Sequence, residues 1–243
     1  MNERAPMVGS SKLLSRQLVS SCKAKGIKNI VISPGSRNAP LIIGFTNDEY
    51  FNCYSVVDER CAAFFALGIS QQIKNPVAVV CTSGSAMLNY FPAVAEAFYS
   101  DYPLVVLSAD RPENLQEIGD GQTIQQEGVY GKHILFQANC KEGSDQEANN
   151  LTKIDIALNT ALEQSGPVHI NLPFSEPLYQ TIAQPKMQLA LSPAKIEVPS
   201  DAFLTNELEQ WKEAKKILVL VGEIPPKVVD ATLLESLAET RAC

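Results

Sequence analysis

Residues 54–68 read Tyr-Ser-Val-Val-Asp-Glu-Arg-Cys-Ala-Ala-Phe-Phe-Ala-Leu-Gly, and residues 77–90 read Val-Ala-Val-Val-Cys-Thr-Ser-Gly-Ser-Ala-Met-Leu-Asn-Tyr. In the first segment an apolar strand ends at one carboxylate, Glu59, which opens an alanine-rich helix. In the second, an apolar strand ends in a hydroxyl-rich turn that opens another helix. Strand, polar turn and helix make up the repeating unit of α/β folds. This stretch therefore predicts the edge of a ligand pocket built around one acid.

The same alternation extends over most of the chain. Apolar runs predict strands at Lys28 to Ser33, Ser55 to Val57, Val77 to Cys81, Leu104 to Ser108 and Val168 to Leu172. Helical spacing predicts helices between Ser10-Ser11 and Gly26, from Ala39-Pro40, and at Asp58 to Gln72, Ala86 to Tyr99 and Thr152 to Gln164. The helix at 58–72 is expected to bury Ala62, Phe65, Ile69 and Ile73. We predict an α/β fold with a doubly wound, mostly parallel open sheet, whose ligands bind beyond the carboxyl ends of the strands.

Proline content divides the chain into parts. Periodicity fades between residues 173 and 199, where prolines recur at Pro173, Pro177, Pro185, Pro193 and Pro199. We predict one domain at residues 1–185, a linker at 186–199 and the truncated start of a second α/β domain at 200–243. This second domain is expected to begin with a helix from Asp201 to Ala214 and a strand from Lys216 to Val221.

Composition excludes several function classes. The formal net charge is −7 and the basic residues form no run, so neither nucleic acid nor an anionic membrane surface is an expected partner. No apolar run reaches the roughly 18 residues that cross a bilayer, and the N-terminus lacks the core of a signal peptide. The six cysteines lack metal-type spacing, which favours reduced thiols in a cytoplasmic protein. The expected partners are small molecules or other subunits.

Two arginines follow predicted strands. The turn Ser33-Pro34-Gly35-Ser36-Arg37 leaves one strand, and Ser108-Ala109-Asp110-Arg111-Pro112 leaves another. Backbone N–H groups and guanidinium groups at the carboxyl ends of strands suit a carboxylate or a phosphate. Taken alone, the first turn is explained by a capped surface turn, and the second arginine is what favours a shared anionic ligand. Arg111 is also explained as a helix or loop anchor paired with Asp110.

Glu59 has a plain explanation as well, since an acid at the start of a helix can cap its first turn and interacts favourably with the helix dipole. Its neighbours give it more weight. Thr82-Ser83-Gly84-Ser85 ends the adjacent predicted strand, and Asn89 follows about one helical turn later. One acid, several hydroxyl groups and an amide are able to orient a flat heterocycle by hydrogen bonds.

These motifs, over residues 28–130, resemble the pyrimidine-binding domain of thiamine diphosphate enzymes. The resemblance rests on Asp-Glu-Arg opening an alanine-rich helix and on Thr-Ser-Gly-x-x-x-x-Asn from Thr82 to Asn89. Within that superfamily, the two arginine turns and the loop Gly119 to Gln125 resemble the 2-succinyl-5-enolpyruvyl-6-hydroxy-3-cyclohexene-1-carboxylate synthases of menaquinone biosynthesis. Most superfamily members carry Pro-Gly where this chain has Ser85-Ala86, which separates it from acetolactate-synthase-like relatives.

The resemblance implies a cofactor, two substrates and a role for each matching residue. Thiamine diphosphate would be bound by Glu59, Pro34, Thr82, Ser83 and Asn89, with Glu59 as the catalytic acid that bonds to the ring nitrogen N1′ of the aminopyrimidine. The substrates would be 2-oxoglutarate, which loses carbon dioxide, and isochorismate. Both carry carboxylates, and the resemblance assigns them to Ser36, Arg37, Arg111 and Gln122.

The resemblance also implies what this chain lacks. In the family the diphosphate and Mg²⁺ lie on a further C-terminal domain, and the active site forms between two subunits of a homodimer or homotetramer. The chain alone is therefore expected to be inactive. The alternatives are another decarboxylating carboligase, such as an acetolactate-synthase relative, and a stand-alone domain that only binds or regulates a partner. A dinucleotide-binding domain is less well supported, because no GxGxxG follows the first strand.

One sequence pattern resembles a metal site. Gly119-Asp120-Gly121 is followed, after 27 intervening residues, by Asn149-Asn150, a spacing close to the superfamily's magnesium signature. We expect no metal ligand here, because a metal-binding turn of this type follows an apolar strand, whereas Pro112 to Glu117 is polar. Of the two histidines, His169 is expected to be a satisfied core residue, and His133 has no partner at ligand or triad spacing.

Overall fold

The computed structural model describes residues 8–183, 187, 189–195, 200–220, 222 and 229–240. Two compact units are present, residues 1–196 and residues 197–243. Within the described residues no helix is long and apolar enough to cross a membrane. The five cysteines that fall within them, Cys22, Cys53, Cys61, Cys81 and Cys140, are free thiols.

Strands and helices alternate along the first unit. Its elements are β1 (Val8–Ser10), α1 (Leu13–Ala24), β2 (Asn29–Ile32), α2 (Ala39–Thr46), β3 (Asn52–Ser55), α3 (Glu59–Ile73), β4 (Val77–Cys81), a 3₁₀ helix (Gly84–Tyr90), α4 (Phe91–Tyr99), β5 (Leu104–Asp110), α5 (Glu113–Gln116), β6 (Phe136–Asn139), a second 3₁₀ helix (Ser144–Gln146), α6 (Glu147–Gln164), β7 (Val168–Pro173) and β8 (Thr181–Ala183). The main sheet has six strands in the order β3-β2-β4-β5-β7-β6. All five pairings between these strands are parallel.

The order of the strands defines where a ligand can bind. From β2 the chain moves to β3 on one side, and it then returns to form β4 on the other side of β2. The strand order therefore reverses between β2 and β4, and a crevice opens there beyond their carboxyl ends. The turn 33–38 leaves β2 at this point, and the turn 82–84 leaves β4.

Two apolar cores confirm that the sheet is covered on both faces. Alternate strand residues, among them Ile30, Val80 and Leu107, pack with α1, α2 and α6 on one face. The residues between them, such as Val31 and Val79, pack with α3, α4 and the first 3₁₀ helix on the other face. This arrangement explains why β4 and β5 are buried along their whole length.

Several sequence-based boundaries need correction. The strand predicted at Ser55 to Val57 lies at Asn52–Ser55, because the exposed edge strand β3 carries few apolar residues. The helix predicted from Ala86 begins as a 3₁₀ helix and becomes α-helical only at Phe91. The helix predicted from Thr152 starts at Glu147.

The buried face of α3 also differs from the prediction. Ala62 is buried as predicted, and Ile69 packs partly buried against the core. The rest of the face is formed by other alanines and Leu67, whereas Phe65 and Ile73 are 46% and 41% exposed. The small alanine side chains let α3 approach the sheet closely. The larger apolar side chains are consequently left facing outward.

The proline-rich stretch at residues 173–199 makes defined contacts where the structure describes it. Thr181–Ala183 pairs with Val8–Ser10 in a two-stranded antiparallel sheet. Residues 189–195 lie against α1 and α6, where the backbone N–H of Ser192 donates to Asp155 Oδ2 at 2.9 Å. Asp155 also forms an ion pair of 2.7 Å with Lys25, whose side chain is only 6% exposed. Pro185 and Pro199 lie outside the described residues.

Replacing Asp155 by alanine is expected to lower the free energy of unfolding by about 3–5 kcal/mol, because the Lys25 ammonium group would stay buried without its counter-charge. Urea unfolding measures this loss. Glu163→Ala is the matched control on the same helix, since its carboxylate accepts an exposed hydrogen bond of 2.7 Å from the backbone N–H of Lys195. The control is expected to lose less than about 1 kcal/mol, and equal losses would contradict the prediction.

The second unit contains α7 (Asp201–Glu213) and α8 (Ala231–Thr240). Ser200 caps α7 by accepting the N–H of Phe203 at 3.2 Å. The strand predicted at Lys216 to Val221 is not formed over 216–220, and Val221 lies outside the described residues. A strand needs a neighbour to complete its hydrogen bonds, and the described part of this unit offers none.

Candidate active site

The turns after β2 and β4 touch each other at the reversal of strand order. A Cβ atom on Gly35 would lie 2.5 Å from the Cβ of Thr82, so only glycine allows this approach. The backbone N–H of Arg37 donates to Thr82 Oγ1 at 3.2 Å. The two turns that the sequence presents separately therefore form one crevice.

Glu59 is the first residue of α3, but it does not cap the helix. The N-cap is Asp58, whose Oδ1 accepts the backbone N–H groups of Arg60 and Cys61 at 2.9 and 3.3 Å. Glu59 is half-buried, and within the described part of the chain its carboxylate has neither a hydrogen bond nor an ion pair. The capping role that the sequence left open for Glu59 thus belongs to its neighbour.

The end of β4 lies within the electrostatic reach of Glu59. Burial raises the pKa of the Cys81 thiol, and the charge of Glu59 raises it further. Burial also raises the pKa of the Tyr90 hydroxyl, with smaller contributions from Cys81 and Glu59. This hydroxyl lies 2.9 Å from both Ser33 Oγ and the Val80 carbonyl oxygen, and so ties the ends of β2 and β4 together.

The predicted cofactor-binding residues differ in their surroundings. Ser83 is 2% exposed, and its Oγ has no hydrogen-bond partner among the described residues. A buried hydroxyl without a partner is costly, so it indicates a ligand or an ordered water at this point. Thr82 is half-buried, whereas Pro34 is exposed. Asn89 lies on the exposed side of the 3₁₀ helix, where its Nδ2 donates to the Ser85 carbonyl at 3.0 Å.

Arg37 extends into the protein, although the sequence suggested a guanidinium group facing the crevice. Its side chain is 6% exposed and forms an ion pair of 3.3 Å with Glu176. Its Nη1 donates to the Phe174 carbonyl at 2.7 Å. Nε is buried without a partner among the described residues. Two of its nitrogen atoms therefore join the turn after β2 to the segment after β7, while the adjacent Ser36 is exposed.

Arg111 is held by the loop that follows it. Its Nη2 donates to the Gly121 carbonyl at 2.8 Å, and its Nε lies 3.2 Å from Asp120 Oδ2. The side-chain pairing with Asp110 that the sequence left open is not formed, because Asp110 instead accepts the backbone N–H of Arg111 at 2.7 Å. Arg111 and Arg37 share no partner within the described chain.

Gln122 lies next to the turn after β4. Its backbone is left-handed, with φ of 56°. A Cβ atom on Gly84 would lie 2.8 Å from the Gln122 carbonyl oxygen, and Gly84 itself has φ of 84°. The loop that carries Gln122 and Arg111 therefore packs directly on the hydroxyl-rich turn.

The residues of the apparent metal signature have other partners. Asp120 is paired with Arg111. Asn150 is buried in α6, where it bonds to the backbone of Lys141 through both its Oδ1 and its Nδ2, at 3.0 and 2.7 Å. No group of three or more potential metal ligands lies together among the described residues.

Sequence reasoning missed a buried polar network beside the crevice. Gln126 and Asn171 are each 2% exposed, and Gln126 Nε2 donates to Asn171 Oδ1 at 2.7 Å. Asn171 Nδ2 donates in turn to Asp110 at 2.7 Å, and burial raises the pKa of this carboxyl. The sequence signal was Gln126 itself, the last residue of the pattern Gly-x-x-Gln-x-Ile-x-Gln that starts at Gly119, and this pattern does not by itself distinguish a buried amide from an exposed one.

His169 is fully buried in β7, as predicted for a core residue, although only one of its ring nitrogens is satisfied. Its Nε2 lies 2.7 Å from Ser108 Oγ, while Nδ1 has no partner among the described residues. The ring meets Tyr130 edge-on at 5.2 Å. His133 packs instead among Phe91 and its aromatic neighbours.

Burial lowers the pKa of His169 to about 3, which predicts a loss of stability in acid. Below a pH of about 6.5 the His169 ring is protonated in the unfolded chain but stays neutral in the folded protein. The free energy of unfolding therefore falls as pH decreases toward about 3. Between pH 7.5 and 5.5 this group should cost about 1.4 kcal/mol. Urea unfolding of His169→Gln should show a pH dependence weaker by that amount, with His133→Gln as the matched histidine control. An unchanged pH dependence in His169→Gln would contradict the prediction.

Comparisons with known proteins place the chain in a family. Residues 13–134 match the family model described as thiamine pyrophosphate enzyme, N-terminal TPP binding domain. The chain is 52% identical over 225 residues to a 2-succinyl-5-enolpyruvyl-6-hydroxy-3-cyclohexene-1-carboxylate synthase of Flavobacterium psychrophilum, covering 93% of this chain and 40% of that protein. It is 48% identical to the protein of the same name from Christiangramia forsetii, covering 93% and 42%. The chain thus spans about two fifths of the length of these curated relatives.

A solved structure shares the fold. The benzoylformate decarboxylase of Polynucleobacter necessarius superimposes with a TM-score of 0.65 at 16% identity, over 84% of this chain and 37% of that one. At this identity the likeness concerns the fold alone. It agrees with the parallel sheet and the crevice described above.

Proposed function

Because the chain belongs to the family of thiamine pyrophosphate (thiamine diphosphate) enzymes, through its N-terminal TPP binding domain, we propose that it is the N-terminal part of a decarboxylating synthase. The enzyme would decarboxylate 2-oxoglutarate and add the resulting acyl carbanion equivalent to isochorismate in menaquinone biosynthesis, as a cytoplasmic transferase. The names of the curated relatives support this assignment. The observation that carries it is the half-buried Glu59 carboxylate, which acts electrostatically on the end of β4 while Asp58 caps the helix.

The residues at the crevice fit the aminopyrimidine of the cofactor. Ser83 offers a buried hydroxyl that has no partner of its own among the described residues, and the Gly35–Thr82 approach leaves the two turns in contact. When bound, thiamine diphosphate supplies a nucleophilic carbon at thiazolium C2. Glu59 would share a proton with ring nitrogen N1′, and this is the task for which an otherwise unpaired carboxylate is suited. Thr82, Ser83 and Asn89 would orient the ring, with Pro34 at its edge.

The substrate carboxylates are assigned to Ser36, Arg37, Arg111 and Gln122. Arg111 would exchange Asp120 for a substrate carboxylate, since the two present the same oxygen geometry. Arg37 retains one donor, Nε, that no described residue uses. Gln122 is exposed, so its side-chain amide is accessible to a substrate.

We assign the diphosphate and Mg²⁺ to the portion of the relatives beyond the matched region. The described residues contain no cluster of potential metal ligands, and the residues of the apparent signature are engaged in other contacts. This chain alone is therefore expected to be inactive. It would supply the acid and the hydroxyl groups of a site whose other half lies elsewhere.

We further propose that a second copy of the protein covers the outward face of α3. Phe64 and Phe65 are 49% and 46% exposed on this helix, and Val57 just before it is 76% exposed. Large apolar side chains clustered beside a functional carboxylate are typical of an interface. A site completed between subunits follows from this arrangement.

Phe64→Glu in the full-length protein is expected to weaken this association by at least about tenfold, because a charge would be buried against apolar surface. Sedimentation velocity measures the oligomeric state. Ile156→Glu is the matched control, since Ile156 is a 44% exposed apolar residue on α6, against the opposite face of the sheet. If both variants keep the wild-type oligomer, the interface lies elsewhere.

The decisive experiment compares two proteins in one assay. The full-length protein, given thiamine diphosphate, Mg²⁺, 2-oxoglutarate and isochorismate, should release carbon dioxide and form the carboligation product. The chain of residues 1–243 should release none. Turnover of pyruvate but not of 2-oxoglutarate would favour an acetolactate-synthase-like carboligase, and binding without turnover of either would favour a regulatory domain.

A further inference from the structure

Gln126 joins three parts of the molecule that border the crevice. Its Oε1 accepts the backbone N–H of Gly84 at 2.8 Å, in the turn after β4. Its Nε2 donates to the Ala109 carbonyl at the end of β5, at 3.1 Å, and to Asn171 Oδ1 on β7, at 2.7 Å. The side chain is 2% exposed. Every polar atom of this buried amide is therefore used.

The anchor of Gln126 is itself fixed. Asn171 Oδ1 also accepts from Ser108 Oγ at 2.7 Å, and its Nδ2 donates to Asp110 and Asn139 at 2.7 and 2.9 Å. A network in which each member has its partners is rigid, because no group can turn without leaving another unsatisfied. The Nε2 atom of Gln126 is thus fixed by β5 and β7, and its Oε1 atom fixes the backbone of the turn after β4.

The contact with Gly84 reaches both halves of the proposed site. Gly84 follows Ser83, which is assigned to the cofactor, and its Cα packs against the backbone of Gln122, which is assigned to a substrate. A shift of the Gly84 N–H would therefore displace both neighbours. Catalytic geometry tolerates little displacement, since small misplacements cost large factors in rate.

We propose that Gln126 is a positioning residue that sets the cofactor-binding turn and the substrate-binding loop relative to each other. The inference rests on the function proposed above, and it adds that one buried amide couples the two ligands. Removing it should weaken the binding of thiamine diphosphate and of 2-oxoglutarate together. Changes confined to either half should weaken only one of them.

The first test follows the Gly84 amide in the 243-residue chain by NMR-detected hydrogen exchange. Gln126→Met removes the acceptor and should speed exchange at Gly84 by at least about tenfold, the effect of one net hydrogen bond. Gln137→Met is the matched control, because its Oε1 accepts the N–H of Gly128, two residues after Gln126, at 2.9 Å and forms no hydrogen bond with Gly84. Unchanged exchange at Gly84 in Gln126→Met would overturn the proposal.

The second test uses the full-length protein. In Gln126→Met the dissociation constant of thiamine diphosphate and the Michaelis constant for 2-oxoglutarate should both rise about tenfold or more, whereas Gln137→Met should leave both near the wild-type values. A lower melting temperature with both constants unchanged would show that Gln126 only stabilises the fold. That outcome would refute the coupling.

Gln126→Glu should show a pH-dependent effect on both constants, which a loss of packing alone would not produce. The introduced carboxyl keeps an acceptor for Gly84, but when ionised it faces the oxygens of Ala109 and Asn171. Protonation restores a donor, so both constants should recover toward the wild type as pH falls from about 8 to about 6, with burial raising the pKa of this carboxyl. Among the described residues, the other titratable groups near the network are the Asp110 carboxyl and the neutral His169 ring, which packs on Tyr130. The Glu127 carboxylate and the Lys153 ammonium group also lie there, since both bond to Asn139.

Gln126→Met serves as the control for this pH effect, because it has no proton to gain, and an equal recovery in both variants would contradict the assignment. If the wild-type full-length protein shows no carboligation, the proposed function fails. The Gly84 exchange result then still decides whether Gln126 holds the turn.

Discussion

Glu59→Gln in the full-length protein should lower kcat by about 10²- to 10⁴-fold, the range associated with losing a group that moves a proton in catalysis. The amide keeps the size of the side chain and its ability to form hydrogen bonds, but it cannot take up or release the proton shared with N1′. Because Glu59 does not cap α3, the fold should be little affected. Carbon dioxide release under saturating thiamine diphosphate and Mg²⁺ measures the effect, and near-normal turnover would remove the role assigned to this acid.

Asp58→Asn is the control that the structure provides for this experiment. Asp58 precedes Glu59 directly and accepts two backbone N–H groups of the first turn. Its replacement should cost at most about 1 kcal/mol of stability, since asparagine is itself a good N-cap, and it should leave turnover within a few-fold of the wild type. A comparable loss of activity in both variants would mean that the charge of the helix start, rather than Glu59, is what matters.

Arg37→Ala should lower the specificity constant, kcat/KM, by about 10²-fold with 2-oxoglutarate as substrate, because hydrogen bonds to charged groups contribute about 1.5–3 kcal/mol. Pyruvate lacks the second carboxylate, so its turnover should suffer less. Steady-state assays with the two acids separate a dicarboxylate-using synthase from an acetolactate-synthase-like carboligase. Equal losses for both acids would indicate that Arg37 acts only by supporting the Phe174 carbonyl.

Glu176→Gln tests whether the ion pair of Arg37 contributes. Glu176 is 67% exposed on its side chain, so the pair is screened by water and contributes little. The variant should keep nearly full activity with either acid. A large loss would show that Glu176, and not a substrate, is the essential partner of this guanidinium.

Apolar periodicity was sufficient to predict the parallel sheet but not its outer parts. Val79 and Val106 are buried between two layers of helices, and the apolar runs at 77–81 and 104–107 around them make the pattern clear. The edge strand β3 and the outward face of α3 are exposed in this chain. For these two elements the apolar pattern predicted the wrong strand bounds and, in part, the wrong buried residues. The periodicity predicted Phe65 to be a core residue. An apolar side chain gives the same pattern whether it packs within its own chain or against a partner chain.

The candidate site residues that follow strands could be predicted, because the sheet determines where such residues lie. Glu59, Thr82 and Ser83 lie at the ends of strands, and the carboxyl ends of parallel strands meet at one edge of the sheet. The direction of the Arg37 side chain was not predictable, because it depends on Phe174, which is distant in sequence. The burial of Gln126 was not predicted for the same reason, since its hydrogen-bond partners belong to three different strands or turns.

The pairing of Val8–Ser10 with Thr181–Ala183 brings together the places where the chain enters and leaves this sheet. A domain whose first and last strands are adjacent can be inserted into a longer polypeptide without distortion of its core. The crevice is formed by the turns at 33–38 and 82–84, which both lie between these two strands in the sequence. Transfer of residues 8–183 into another polypeptide would therefore carry the crevice and the Glu59 carboxylate with it.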